Sequence, residues 1–525
     1  MIERTPNFKL IKKMNNKVFL RRMLWLLCLP LLLTACKDSM DEHYEVPDWV
    51  ADNAWEVLSS GEHGNYSIFL QGLEIAGYKQ MLEGKAILTI IAPDDDAFQT
   101  YLNKRGFTSI SDMPVNEVSK LIGYHVLYYS YNKEKLVNFR PTGSTETEEE
   151  QNIKAGLYYK HRTRSSDAPT VETTPTGASV MVYHLERYLP IFSYRYFQTK
   201  GIDAKNNYEA FYPNSTWTGD DGFNVSNASV KEYGIIANNG YIHAVDRVVE
   251  PLETIYTELK NKEKYSTFLD LYDSFGVYVA DDELSKSYAK AYGVDTLYQY
   301  QHGGLPNIAC EWPTSSYLNF TALTALSYSI FAPSNTAINS FFDSFWKIGG
   351  YSSMQEVDAL ALNYFLYQFI YGGSMLFPEE LGDDELKNLA GSSLNINPAA
   401  LNEKTMCVNG ALYGMDEIKE PSTFASVIGP LFQYKSARSF LYALLGSSLF
   451  SSYVSDLSKY IVLVPTAEQF EASGIRTVYS TQGWKQKEMM DGRKSAILPS
   501  KISCICIQLV SRVNNQVNYQ KEERV

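Results

Sequence analysis

The sequence has few of the residues from which metal centres and disulfide frameworks are built. Among its 525 residues are 7 His and 6 Cys, and no Cys-x-x-Cys pair occurs. These low counts argue against a metal cluster and against a disulfide scaffold. Basic charge is also scarce. The formal net charge is −13, whereas a nucleic-acid-binding protein needs a basic face. We expect no metal site and no nucleic-acid partner.

Catalytic motifs are missing as well. The chain contains no G-x-S-x-G elbow, no H-E-x-x-H pair and no phosphate-binding P-loop. Asp220 and Asp221 lie in a polar stretch, but nothing in the sequence pairs them across a cleft as a glycosidase requires. We therefore expect no catalytic residue, no cofactor and no enzymatic activity.

The N-terminal residues have the pattern of a sorting signal. An apolar run of 11 residues, Met23–Leu33, follows basic residues at positions 12, 13, 17, 21 and 22. This run is too short to span a bilayer, which needs about 20 residues, and it is typical of a secretory signal peptide. It ends in Leu-Thr-Ala-Cys36, which resembles a bacterial lipobox. We expect residues 1–35 to be removed and Cys36 to be acylated, for example with palmitate. Met14 is a candidate for the true start.

The segment after Cys36 is acidic. Residues 37–42 read Lys-Asp-Ser-Met-Asp-Glu, which resembles a Bacteroidota-type signal for export to the outer leaflet, or else forms a solvated linker. Loss of residues 1–35 removes seven basic residues and one acid, leaving 40 basic and 59 acidic residues and a net charge of −19. No later stretch approaches the length of a membrane span. We expect a surface-exposed protein that is lipid-anchored in the outer membrane.

Two short patterns recur along the chain. The segments Asn239–Pro251 and Asn409–Pro421 share Asn, Gly, Asp, Glu and Pro in register, and Asn-Gly before alternating apolar residues predicts a hairpin. A second pattern has an apolar strand, a Pro, and a polar residue at a helix N-cap. It occurs three times, at Pro93-Asp94, Pro333-Ser334 and Pro465-Thr466.

Together the two patterns resemble the fasciclin domain. The resemblance covers about residues 50–475, and Gly123-Tyr124-His125-Val126-Leu127 matches the middle element of that family. In the second repeat the counterpart is Leu366–Ile370, with Gln368 in place of the His. The closing motif carries His243 in the first repeat and Tyr413 in the second. The resemblance implies an α+β fold of tandem fasciclin-like domains, each a β-sandwich-like wedge with flanking helices, and with insertions.

The resemblance and the composition together divide the chain into six parts. These are a signal peptide at 1–35, an acidic tether at 36–52, a first domain at 53–255 with an insertion at about 130–230, a second domain at 256–421 with an insertion at about 276–325, a partial third domain at 422–475, and an atypical basic tail at 476–525. We expect a linker near Glu253–Lys264. The run Ile502–Val510 in the tail either completes the third sheet or belongs to no domain.

The residues of the family motifs have a structural interpretation. They are Pro93, Tyr124, His125, Asn239, Gly240, His243, Asp246, Pro333, Asn409, Gly410, Asp416 and Pro465. We expect His125 and His243 to be buried and hydrogen-bonded. A relay from His243 to Asp246 cannot form on a strand, because residues three apart point to opposite faces.

The large number of aromatic residues is the main indication that the protein binds a ligand. There are 39 Tyr, and aromatic residues are dense in both insertions. Sugar rings stack on flat aromatic faces, while Tyr and Trp also dominate protein interfaces. The candidate ligand-binding residues are Tyr212, Trp217, Tyr300 and Trp312. The alternative is that such rings form a local core beneath long loops.

The resemblance implies a non-enzymatic binding or adhesion protein of the cell surface. Its partner would be a polysaccharide or an outer-membrane importer protein, beside the lipid that anchors it. A structural envelope scaffold or spacer is the alternative, and a glycan-active enzyme is a weaker one.

Overall fold

The computed structural model describes residues 52–138, 159–312, 327–383, 385–394, 396–445, 450, 453 and 460–472. The predictions for the signal peptide, for Cys36, for the tether up to residue 51 and for the tail at 476–525 lie outside these residues. None of the helices in the described ranges has the length and hydrophobicity that a bilayer span requires. The described residues from Asn53 onward belong to one compact unit.

Short helices and strands alternate along this unit. The α-helices are α1 (Ala54–Ser59), α2 (Ser67–Ile75), α3 (Lys79–Glu83), α4 (Asp95–Arg105), α5 (Val115–Tyr124), α6 (Lys133–Val137), α7 (Tyr194–Lys200), α8 (Ala204–Phe211), α9 (Ile255–Lys260), α10 (Ser266–Asp273), α11 (Asp282–Tyr288), α12 (Asn335–Phe341), α13 (Ala359–Tyr367), α14 (Ser422–Ala425), α15 (Gly429–Gln433), α16 (Arg438–Leu445) and α17 (Ala467–Ala472). The strands are β1 (Leu88–Pro93), β2 (Val126–Tyr128), β3 (Lys160–Arg162), β4 (Thr170–Thr173), β5 (Ser179–Val182), β6 (Tyr188–Phe192), β7 (Asn224–Val225), β8 (Ala228–Ala237), β9 (Gly240–Val245), β10 (Gly276–Ala280), β11 (Tyr298–His302), β12 (Tyr328–Pro333), β13 (Ile370–Gly372), β14 (Leu401–Cys407) and β15 (Gly410–Met415).

Two of the three sheets share one topology. In the first, β1 pairs antiparallel with β2 and parallel with β9, and β9 pairs antiparallel with β8. In the second, β12, β13, β15 and β14 repeat these pairings in the same order. In the first repeat β7, β6 and β3 extend the sheet to seven strands. The fold is therefore α+β with an internal structural repeat, as the sequence predicts.

The Asn-Gly pair forms the predicted hairpin in both repeats, and the Asn has a further role. The Asn239 amide accepts a hydrogen bond from the Ala54 N–H at 3.0 Å and donates to the carbonyls of Leu82 and Gly84 at 2.7 and 3.0 Å. In the second repeat Asn409 accepts from Ile255 N–H at 2.9 Å. Each Asn thus fixes the first residue of the first helix, α1 or α9, to the closing hairpin.

The glycine after each Asn is required by close packing. A Cβ on Gly240 would lie 1.9 Å from the Leu88 carbonyl oxygen, and one on Gly410 would lie 1.9 Å from the Tyr328 carbonyl oxygen. These carbonyls belong to the neighbouring parallel strands. No side chain fits in so small a gap, so the recurring Gly follows from the approach of two backbones.

The strand register corrects the predicted counterpart of His125. Ile91 N–H bonds to the His125 carbonyl, and Phe331 N–H bonds to the Phe369 carbonyl, both at 2.9 Å. Ile91 and Phe331 occupy equivalent positions in β1 and β12. Phe369, rather than Gln368, therefore occupies the place of His125, because the helix-to-strand connection is one residue out of register with the sequence match.

The two insertions join in the third sheet. Its order is β10-β11-β5-β4, so strands from the first insertion pair with strands from the second. Aromatic side chains of the first insertion also enter the core of the second repeat, where the Phe197 and Phe377 rings lie 4.9 Å apart. The predicted linker at 253–264 is instead the start of the second repeat, since Thr254 and Ile255 are buried.

The third occurrence of the strand–Pro–helix pattern has its helix but not its strand. The predicted N-caps Asp94 and Ser334 accept from the N–H of Ala97 and Ala337, and Thr466, after Pro465, accepts from Gln469 N–H at 3.4 Å. The predicted strand before Pro465 is wrong for the described residues 460–466, which form no strand. The described part of 422–472 contributes no strand to any sheet, and from the apolar run Tyr460 and Val462 pack against the large core instead.

Candidate functional site

Two of the four candidate ligand-binding aromatics are buried. Trp217 is 9% exposed, and its Nε1–H donates to Asp220 at 2.7 Å. Trp312 is 4% exposed, and its Nε1–H donates to the Glu186 carbonyl at 2.9 Å. Long insertions bury rings of this size because the rings supply their core. Neither indole offers an open face for stacking.

The other two candidates are half-buried and differ in their surroundings. Tyr212 packs against the large core, and its hydroxyl lies 3.1 Å from Ser226 Oγ. Tyr300 lies on β11 in the sheet that joins the insertions, and its hydroxyl donates to Asp273 at 3.0 Å. Of the four predicted residues, Tyr300 is therefore the one that belongs to a cluster of polar side chains.

Asp273 is the centre of that cluster. Besides Tyr300, its carboxylate accepts from the Tyr256 hydroxyl at 3.2 Å and contacts His302 Nε2 at 3.1 Å. The Asp273 side chain is 31% exposed, while the His302 side chain is fully buried. His302 Nδ1 has no hydrogen-bond partner within the described residues, and Nε2 is the ring nitrogen that faces the carboxylate. Two tyrosine hydroxyls and one imidazole nitrogen therefore surround one half-exposed carboxylate.

The secondary structure positions each member. Tyr300 and His302 are two apart on β11 and share a face of the sheet, Tyr256 lies on α9, and Asp273 ends α10. Gly276 leaves room for the Tyr300 ring, since a Cβ there would lie 2.0 Å from the Tyr300 hydroxyl. The cluster exists because β11 passes over the end of α10.

A second carboxylate is connected to the first through a pair of neighbouring tyrosine rings. Tyr278 on β10 pairs in register with Tyr300, and their ring centroids are 5.1 Å apart. The Tyr278 hydroxyl donates to Glu172 on β4, in the first insertion, at 2.8 Å. We call the set Tyr256, Tyr278, Tyr300, His302, Asp273 and Glu172 the tyrosine–carboxylate cluster.

The electrostatics keep the tyrosines of the cluster protonated. Burial and the Glu172 carboxylate raise the pKa of Tyr278 to about 12. Burial and the Asp273 carboxylate raise the pKa of Tyr256 and of Tyr300 well above the ordinary value. The hydroxyls are therefore donors at neutral pH.

Sequence reasoning found Tyr300 but missed the rest of the cluster. Tyr256, Tyr278, Asp273 and Glu172 come from four separate elements, so no spacing links them. The one available signal is the run Tyr298-Gln-Tyr-Gln-His302, whose alternation places its aromatic residues on one face of a strand.

The motif histidines are buried and use both ring nitrogens. His125 donates from Nδ1 to the Leu121 carbonyl at 2.9 Å and accepts from Val249 N–H at 3.1 Å. His243 donates from Nε2 to the Tyr131 carbonyl at 3.0 Å and accepts from Gly234 N–H at 3.1 Å. Burial lowers the pKa of each histidine to about 4. Neither ring has a free nitrogen for catalysis.

The motif acids point away from the histidines. Asp246 accepts from Ser229 N–H at 2.8 Å and pairs with Arg247 at 2.9 Å. Asp416 pairs with Lys264 at 2.9 Å. The absence of a contact between Asp246 and His243 follows from their positions three residues apart on extended backbone. Both acids hold local structure.

An ion network links the two repeats near the insertions. Arg187, 1% exposed, pairs with Asp167 and, at 2.9 Å, with Glu253. Lys120 contacts the same two carboxylates at 2.7 and 2.9 Å. Burial alone would raise the pKa of the Asp167 carboxyl, but Arg187 and Lys120 outweigh it and lower that pKa.

Part of this network has the composition of a metal site. Ligand atoms of three side chains, Asp167, His184 and Glu311, lie within 4.8 Å of one another. Asp167 is already neutralised by Arg187 and Lys120, whose positive charges would repel a divalent cation. We interpret the group as an ion network between repeats.

Comparisons with known proteins agree with this architecture. Residues 64–190 match the Fasciclin domain family model. A FAS1 domain pair from the insect cell adhesion molecule Fasciclin I is similar at 12% identity over 70% of this chain and 96% of that chain, with a TM-score of 0.21. That likeness is too distant to support an argument, and none of the curated proteins compared matches the sequence. Residues 64–190, in the first repeat, are therefore similar to the fasciclin domain.

Proposed function

We propose that this chain is a non-enzymatic binding protein of the cell surface, built from two fasciclin domains and anchored to the outer membrane through acylated Cys36. Fasciclin domains are adhesion-related and generally non-catalytic. The shared strand order of the two repeats supports a second fasciclin domain, beyond the residues that the family model matches. The lipobox-like Leu-Thr-Ala-Cys36 supports the anchor.

One observation carries the proposal of binding. The tyrosine–carboxylate cluster lies where the two insertions meet, and its rings and carboxylates are half-buried rather than enclosed. Half-exposed tyrosines offer ring faces, and carboxylates accept hydrogen bonds from hydroxyl groups. We therefore propose that the ligand is a polysaccharide, which the cluster holds through stacking and hydroxyl contacts.

The geometry gives no support to an enzyme. In the described residues, His125 and His243 have both nitrogens occupied, and Asp273 is surrounded by donors that orient its carboxylate. A retaining or inverting glycosidase needs one protonated and one ionised carboxyl facing each other across a bound sugar. Asp273 and Glu172 each accept from tyrosine hydroxyls instead.

The test uses the mature chain with Cys36→Ser, so that no acyl group is added. Oligosaccharides are screened against this protein and against Tyr278→Ala, which removes a half-buried ring from an edge strand. The matched control is Tyr292→Ala, because Tyr292 is 44% exposed in the same insertion and lies outside the cluster. We expect saturable binding that Tyr278→Ala weakens at least tenfold and Tyr292→Ala leaves unchanged.

Other results would point elsewhere. If Tyr278→Ala and Tyr292→Ala bound the oligosaccharide with equal affinity, the cluster would not be part of the binding site. Capture of an outer-membrane importer without any oligosaccharide binding would favour docking to a protein. If the protein bound neither an oligosaccharide nor an importer protein, a structural spacer would be favoured. The ion network around Arg187 would give such a spacer rigidity.

A further inference from the structure

We propose that His184 and Glu311 form a pH-sensitive latch, which holds the two insertions together while the His184 ring is protonated. His184 belongs to the first insertion and Glu311 to the second. The latch shares no residue with the tyrosine–carboxylate cluster, so the proposal does not depend on polysaccharide binding. It is carried by a buried carboxylate at the junction of the insertions and by the charges around it.

The loop between β5 and β6 meets the second insertion at the Glu311 carboxylate. One oxygen of this carboxylate accepts a hydrogen bond from the Leu185 N–H at 3.1 Å, and the other lies 3.4 Å from His184 Nδ1. The next residue on each side extends the contact, since the Trp312 Nε1–H donates to the Glu186 carbonyl at 2.9 Å. The latch therefore lies within a short stretch where the two insertions are hydrogen-bonded to each other.

The Glu311 carboxylate needs a positive charge beside it. Its side chain is 3% exposed, and an ionised carboxylate is costly to bury without a partner. Among the residues that the structure describes, His184 is the ion-pair partner of Glu311, and no Lys or Arg forms a pair with it. The charges of Arg187 and Glu311 act on each other from further away. A protonated His184 ring therefore supplies the charge that the carboxylate lacks at close range.

The surrounding ion network becomes neutral only with that proton. Asp167 and Glu253 each contact both Arg187 and Lys120, so two negative charges face two positive charges. These pairs leave no positive charge over for the latch carboxylate. The latch carboxylate adds a third negative charge, and the latch histidine adds a third positive charge when it is protonated. A neutral histidine would leave three negative charges against two positive charges.

The charged groups that face His184 in the described part of the chain are Asp167 and Arg187 of the first insertion and Glu311 of the second. Burial and Arg187 lower the pKa of this histidine, but the hydrogen bond and charge of Glu311 and the charge of Asp167 outweigh them and raise that pKa above its ordinary value. An unfolded histidine titrates near pH 6.5. The stabilisation is therefore complete below about pH 6.5 and is lost as the pH rises through the raised pKa of the folded protein.

The experiment measures the titration of His184 and the strength of the junction separately. The mature chain with Cys36→Ser is kept in a metal chelator, and its histidines are labelled with carbon-13 for titration by NMR, where His184→Gln identifies the His184 resonance. Hydrogen exchange of the Leu185 amide, corrected for its intrinsic rate, reports the junction at pH 6 and pH 9. The internal reference is the Ile255 amide, which donates to Asn409 at 2.9 Å.

The matched control variant is His63→Gln, because His63 Nδ1 lies 3.0 Å from Glu232 in an exposed pair of the first repeat. We expect His184 to titrate above pH 6.5. Protection of the Leu185 amide should fall about tenfold from pH 6 to pH 9 in the parent protein and in His63→Gln. In His184→Gln that protection should be low at both pH values, while the Ile255 amide keeps its protection throughout.

Two results would overturn the proposal. One is a His184 ring that titrates at or below pH 6.5. The other is equal protection of the Leu185 amide at pH 6 and pH 9 in the parent protein. The exchange result comes from the parent protein, so it stands even where His184→Gln does not fold.

Discussion

Acidification should destabilise the first repeat through His125 and His243. Each ring donates from one nitrogen and accepts a backbone N–H at the other, so protonation would place two N–H groups against each other. This arrangement and burial lower the pKa of both histidines to about 4. An unfolded histidine titrates near pH 6.5.

The sign and size of the effect follow from these values. Between pH 6.5 and about 4 the unfolded chain binds more protons than the folded chain, so folding stability is lost as the pH falls through this window. From pH 7 to pH 5, each histidine should cost about 2 kcal/mol of unfolding free energy. The two together should cost about 4 kcal/mol.

The measurement is chemical denaturation at pH 7 and pH 5 for the wild type and for His125→Gln/His243→Gln. Glutamine keeps one donor and one acceptor in each place but does not titrate. The loss of stability on acidification should shrink by about 4 kcal/mol in the double variant. An equal loss in both proteins would show that these histidines do not titrate as the hydrogen bonds require.

Two further predictions concern packing. Asn239→Ala leaves one N–H and two carbonyls of buried backbone without a partner, and should cost about 3 kcal/mol in denaturant unfolding. Asn409→Ala should cost a similar amount, and a change below about 0.5 kcal/mol in either variant would contradict the shared role. Trp217→Ala should cost about 3–5 kcal/mol through the cavity it leaves. The folded fraction of that variant should keep the oligosaccharide affinity of the parent, and a selective loss of affinity would return Trp217 to the binding site.

The register of the middle element shows one limit of sequence reasoning. Aligning Tyr124-His125 with Tyr367-Gln368 gives the best sequence match between the two repeats. The hydrogen bond from the Phe331 N–H to the Phe369 carbonyl shows instead that Phe369 is the structural equivalent of His125. The helices end at the matched residues Tyr124 and Tyr367, but the connection to the next strand is one residue longer in the second repeat, which leaves the apolar pattern on either side unchanged. Only the pairing of strands separates the two registers.

The aromatic residues show another limit. Composition located the surplus in the insertions, yet it did not separate Trp217 and Trp312, which are buried, from Tyr300, which is half-buried beside Asp273. Burial depends on what covers a ring. Here the cover comes from segments up to 180 residues away, as the contact between Phe197 and Phe377 shows.

What the sequence determined by itself is local. The Asn-Gly hairpins, the N-caps after the prolines and the α+β class each depend on a few neighbouring residues, whose backbone preferences act within one turn or one strand. The tertiary structure alone decided the sheet shared by the insertions and the tyrosine–carboxylate cluster. Asp273 and Glu172 are 101 positions apart in the chain and on separate elements. Only tertiary packing connects them, through the hydrogen bonds that Tyr300 on β11 donates to Asp273 and Tyr278 on β10 donates to Glu172.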